Sequence, residues 1–116
     1  MSRILRTEPS PVFSKAVEYH GFVYTQGLVP TNPEAGISEQ VANVLAQIDS
    51  VLELHGTDKT RLLQAQIWLA DIADRAALND VWSAWLPAGE APARAVVQAV
   101  LADPRWRVEI MITACK

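Results

Sequence analysis

The chain has 116 residues, 50% of them hydrophobic and 20% charged, which predicts one globular domain over residues 1–116, too short for two cores and too apolar for a disordered tail. Ten Lys and Arg are scattered along the sequence against thirteen Asp and Glu, a formal net charge of -3, which excludes the basic stripe that neutralises nucleic-acid phosphates. No apolar run reaches the ~18 residues of a membrane span and the opening MSRILRTEPS has no signal-peptide h-region, so neither membrane nor secretion is expected, and a single cysteine, Cys115, fits a reducing cytoplasm.

Residues 3–7 read as a short edge strand, separated by Pro9 and Pro11 from KAVEYHGFVYTQG at 15–27, two β-prone stretches around a His20-Gly21 turn. The segment VPTNPEAG is loop by its Pro, Asn and Gly content. Val41, Val44, Leu45, Ile48, Val51 and Leu52 then recur at helical spacing, with Gln40, Asn43, Gln47, Asp49 and Glu53 opposite. Ser38 is the expected N-cap of that helix and Gly56 its C′ glycine. Leu63, Ala65, Ile67 and Leu69 alternate with Gln64, Gln66 and Trp68 as a half-buried strand. Asp74 should cap a second helix carrying Leu78, Val81, Trp82, Trp85 and Leu86 and stopped by Pro87. Two strands follow, residues 93–101 and 107–114. The first has Ala95, Val97, Ala99 and Leu101 on one face. The second has Val108, Ile110, Ile112 and Ala114 on one face.

The order β-β-β-α-β-α-β-β specifies an α+β protein whose two helices cover one face of a five- or six-stranded sheet. The other face is expected to mix Val96, Val100 and Met111 with Arg94, Gln98 and Glu109, the composition of a subunit interface that holds a polar site. The high apolar fraction points the same way.

Signatures of dinucleotide, P-loop, zinc and calcium sites are absent from the sequence. His20 reads as a turn residue and His55 as a helix-terminal one. Two charged residues stand in apolar strands: Arg94 in Pro92-Ala93-Arg94 and Glu109 in Val108-Glu109-Ile110. Both are compatible with solvated positions. They are equally compatible with a pocket in which Arg94 grips a small carboxylate and Glu109 orients a water or moves a proton. A simple hairpin of the last two strands would set Glu109 opposite Ala99, about 16 Å from Arg94. A shared site therefore requires another strand order or a subunit boundary.

The segments FSKAV (13–17), FVYTQGLVP (22–30), EQVANVLAQIDSVLELHG (39–56), LNDVWSAWL (78–86) and PARAVVQAVL followed by VEIMITA (108–114) resemble the RidA (YjgF, endoribonuclease L-PSP) family of reactive-intermediate deaminases. The helix and C-terminal half are especially similar to its YoaB-like branch. The resemblance implies a chorismate-mutase-like fold: a six-stranded mixed sheet with two helices on one face, assembled as a homotrimer around a central barrel, with clefts between subunits. It implies cofactor-free and metal-free hydrolysis of small enamines and imines, such as 2-aminoacrylate, to 2-oxo acids and ammonia. By resemblance Arg94 binds the substrate carboxylate and Glu109 positions the water. Gly27 lines the cleft, Asn79 matches a helix asparagine, and Val96 stands where a cysteine is frequent. Phe13 replaces a tyrosine and Gln26 a serine at substrate-facing positions, which leaves the preferred imine open. The alternatives are a non-catalytic module binding small carboxylates or a partner enzyme, and an endoribonuclease, which the acidic balance disfavours.

Overall fold

The computed structural model describes residues 3–116; Met1 and Ser2 of the expected domain lie outside the described residues. Six strands and two helices follow in the order β1 (Leu5–Thr7), β2 (Ala16–Tyr19), β3 (Phe22–Thr25), α1 (Ile37–Leu54), β4 (Leu62–Leu69), α2 (Arg75–Trp85), β5 (Ala93–Gln98) and β6 (Val108–Cys115). They form one mixed sheet in the order β1-β2-β3-β6-β4-β5, with β4 and β5 parallel and the other pairs antiparallel. The chain returns from β4 through α2 to β5, the crossover a parallel pair requires. Both helices pack on one face. With a shortest dimension of 20 Å, the molecule is two layers thick and its second sheet face is uncovered.

The strongest sequence patterns hold. The β2–β3 hairpin turns at His20 and Gly21, whose φ values of 51° and 79° are those of a type I′ turn. Val41, Val44, Leu45, Ile48, Val51 and Leu52 are buried against Ile67, Leu69, Leu78, Ile110 and Ile112. Gly56, at φ +73°, ends α1 in a Schellman motif: the Gly56 N–H donates to Glu53 O (3.0 Å) and the Thr57 N–H to Leu52 O (3.0 Å).

Several local expectations are corrected. The N-cap of α1 is Gly36, not Ser38, because the helix already begins at Ile37. Gln40, placed on the polar face by its side-chain type, is fully buried. Its amide donates to the carbonyls of Pro33, Ala35 and Arg105 and accepts from the Arg107 N–H (2.8 Å), so every polar atom is satisfied. In β4 a bulge between Leu62 and Gln64 puts Leu62 in the core and leaves Leu63 exposed. Asp74 precedes α2 but makes no side-chain cap. Its carboxylate instead holds Arg107 at 2.8 and 2.9 Å.

The largest correction concerns β5. It ends at Gln98 rather than Leu101, and Val100 is wholly exposed. Arg94 lies opposite Ala65, Val96 opposite Ile67 and Gln98 opposite Leu69. Those three β4 residues face the helices and are buried. Paired residues share a face, so Arg94, Val96 and Gln98 belong to the helix side, not to the uncovered side with Met111 and Glu109. Hydropathy alternation in ARAVVQ offers little contrast between its two faces, and the buried partner strand decides the orientation.

Candidate functional site

Arg94 is the second residue of the edge strand β5 and extends toward α2. Its guanidinium donates to Asn79 Oδ1 at 2.8 Å and lies over the Trp82 ring at 5.5 Å from the centroid. Asn79 and Trp82 are three residues apart, neighbours on one helix face, so α2 supplies both a hydrogen-bond anchor and an aromatic platform. Among the described residues no carboxylate pairs with Arg94. Burial, and secondarily the charge of Arg75, lower its pKa. Its remaining donors form a planar fork without an internal acceptor, which suits a carboxylate ligand.

Glu109 projects from the uncovered face of β6, opposite Trp68. Its register partner Trp68 lines a concavity of about 450 Å³ together with Gln64, Gln66, Val97, Met111 and Thr113. Gly27 packs against the Glu109 carboxylate: a Cβ at Gly27 would stand 2.0 Å from Oε2 and 2.9 Å from Cδ. Leu28, the next residue, exchanges backbone hydrogen bonds with Ile110 at 2.8 and 3.0 Å, which pins this loop to β6. No donor among the described residues engages the carboxylate, and burial raises its pKa above the ordinary glutamate value.

The expected residues therefore divide into two groups. Arg94 and Asn79 touch on the helix side of one sheet edge, and Val96 shares that face, its side chain packed against the core. Glu109 and Gly27 touch on the uncovered face. Gln26 adjoins Gly27 and is tied by its N–H to Lys15 O at 2.9 Å. Phe13 is exposed on a turn whose Ser10 hydroxyl donates to Phe13 O and accepts from the N–H groups of Val12 and Phe13. By register, Arg94 and Glu109 are separated by three residues along the sheet, about 10 Å, and by two strand spacings of about 4.8 Å. They also point to opposite faces. One copy of the chain does not bring them together.

Sequence reading assigned Trp82 to the core alone and passed over its second role beneath Arg94. The available signal was its position three residues beyond Asn79. Among the described residues no group of three or more His, Cys, Asp or Glu converges, and no helix is long and apolar enough to cross a membrane.

A sequence model of the family described as Endoribonuclease L-PSP matches residues 4–116. The RutC family protein YoaB of Escherichia coli K12 is 47% identical over 111 residues, covering 96% of each chain. A YjgF-family crystal structure from Neisseria meningitidis superposes with a TM-score of 0.94 at 49% identity, covering 98% of this chain and 95% of that one. A more distant relative, 26% identical over 92% of this chain and 62% of its own length, is named Reactive Intermediate Deaminase A, chloroplastic, from Arabidopsis thaliana.

Proposed function

This chain belongs to the Endoribonuclease L-PSP family, and from that premise we propose that it is an enamine/imine deaminase. In this reading it hydrolyses small 2-imino acids to 2-oxo acids and ammonia in a cleft between copies of itself. The observation that carries the reading is the pair of unneutralised half-sites. A guanidinium with open donors lies on one sheet face, and a half-buried carboxylate with open acceptors lies on the other. A neighbouring copy that places its Glu109 group against this copy's Arg94 group completes both. The uncovered sheet face supports the association, because Tyr19, Phe22, Tyr24, Val97 and Met111 are each at least 40% exposed on it. A homotrimer is the closed assembly we propose, in which every copy gives one half-site to each neighbour. The name of the Arabidopsis relative agrees with the chemistry.

In that cleft Arg94, anchored by Asn79, holds the substrate carboxylate through two charge-assisted hydrogen bonds. The imine carbon is electrophilic, so water needs only to be held within about 3–3.5 Å of it. Glu109 accepts a proton from the water as its oxygen bonds to carbon and passes it to the imine nitrogen, giving a carbinolamine. Glu109 then takes the carbinolamine hydroxyl proton and delivers it to the amine as the C–N bond breaks and the C=O bond forms, releasing ammonia. A carboxyl whose pKa burial has raised is suited to both transfers. Phe13 and Gln26 shape the side-chain end of the cleft, and Val96 contributes backbone at the sheet edge. A cytoplasmic setting, where such imines arise, completes the reading.

The test supplies imine in situ by amino-acid oxidation and follows 2-oxo acid release against trapping of the imine by semicarbazide. Catalysis lost in both Arg94→Ala and Glu109→Gln, with 2-oxo acid binding kept in Glu109→Gln, supports the deaminase. Binding without wild-type acceleration would leave a carboxylate-binding module.

A further inference from the structure

The half-site around Arg94 carries more positive charge than a simple imino acid neutralises. Arg75 opens α2, and residues 75, 79 and 82 follow the i, i+4, i+7 spacing that aligns side chains along one helix face. Asn79 and Trp82 of α2 both engage Arg94. Arg75 therefore stands one turn beyond Asn79 on the stripe facing Arg94, and its charge reaches the Arg94 guanidinium.

The nearby acids make their side-chain contacts elsewhere. Asp74 gives both carboxylate oxygens to Arg107. Asp71 Oδ1 accepts the Ala73 N–H at 2.9 Å. Asp80 follows Asn79 and so sits about 100° around the helix from it. Among the described residues neither Arg75 nor Arg94 has an acidic partner within ion-pair distance. In a chain of net charge -3, two guanidinium groups that feel one another's charge and have no ion-pair partner among the described residues form a local site for two negative charges.

Resting on the deaminase reading above, we propose that the preferred substrates are dicarboxylic 2-imino acids. Arg94 takes the carboxylate beside the imine carbon, and Arg75 takes a second carboxylate at the end of the side chain. Arg75 is thus a specificity residue and touches no reacting atom. Its exposure makes the contribution modest and sensitive to salt.

The experiment compares kcat/KM for imines generated from aspartate and glutamate with those generated from alanine and leucine. The wild-type protein should favour the dicarboxylic imines by about tenfold or more. Arg75→Gln should collapse that ratio toward one, Arg75→Lys should keep most of it, and Arg75→Glu should reverse it. Raising the salt from about 0.05 to 0.5 M should shrink the wild-type ratio and leave that of Arg75→Gln unchanged. A wild-type ratio near one, or a ratio indifferent to Arg75, overturns the dicarboxylate proposal while Arg94-dependent hydrolysis of the simpler imines leaves the deaminase standing. Failure of the wild type to hydrolyse any imine overturns both.

Discussion

Gly27→Ala is a sharp probe of how Glu109 is aimed. The new Cβ would stand 2.0 Å from Oε2 of Glu109, so the carboxylate must retreat by roughly 1.4 Å to reach an ordinary 3.4 Å contact. The obstructing atoms are the end of a flexible side chain, and Gly27 is outside the positive-φ region that only glycine adopts readily. The side chain should therefore move while the backbone stays. Displacing a catalytic group by about 1 Å costs on the order of 10²-fold in rate, or about 2.7 kcal/mol of transition-state stabilisation. The fold should lose nothing comparable, since alanine at a compatible position restricts the unfolded chain and adds about 0.4–1 kcal/mol. Imine hydrolysis assays alongside thermal unfolding would show kcat/KM down about 10²-fold with Tm unchanged or slightly raised. Adding Glu109→Asp, which withdraws the carboxylate by one methylene, should produce little further loss. Wild-type activity in a folded Gly27→Ala protein would refute the assignment of Glu109 as the positioned base, and unfolding would show that Gly27 serves the backbone instead.

Asn79→Ala releases the side-chain hydrogen bond that anchors the Arg94 guanidinium and should raise KM about tenfold with a smaller change in kcat, measured in the same assay. Burial raises the Glu109 pKa in the folded state, so the acid limb of the wild-type kcat/KM profile should fall above the ordinary glutamate range. That raised value also means the ionised carboxylate opposes folding above the folded-state pKa, so Glu109→Gln should increase Tm at pH 7 and lose this advantage below about pH 4. The opposite case is Glu18, whose pKa is lowered chiefly by its 2.8 Å hydrogen bond from His55. Its contribution is present above the unfolded value and disappears as pH falls through the lower folded value. Glu18→Gln should therefore unfold at higher pH than the wild type in an acid titration followed by circular dichroism.

How legible each element was follows from where its determinants lie. The stripe of α1, the alternation of β6 and the His20-Gly21 turn are local patterns, and each survives in the structure. The bulge that exchanges Leu62 for Leu63 depends on β6 pairing with β4, and no residue in LLQAQIWL announces it. The place of β5 beside β4, away from β6, is a property of the whole sheet. From it follows the separation of Arg94 and Glu109, which the mixed composition of the two strands concealed. Residue chemistry identified both as costly charges in apolar strands, and the resemblance gave them roles. Only topology divides them between two half-sites. Arg75 had no signal of its own until Asn79 and Trp82 were seen to hold Arg94.

The central claim is that Arg94 of one copy works with Glu109 of another, and subunit mixing tests it most directly. Arg94→Ala and Glu109→Gln proteins, each inactive alone, would be unfolded together, refolded at equal ratio and assayed for imine hydrolysis. In a cyclic assembly with random exchange, about a quarter of the clefts receive an intact Arg94 from one parent and an intact Glu109 from the other. The account predicts recovery approaching a quarter of wild-type activity. Mixed assemblies verified by mass that remain inactive would contradict it.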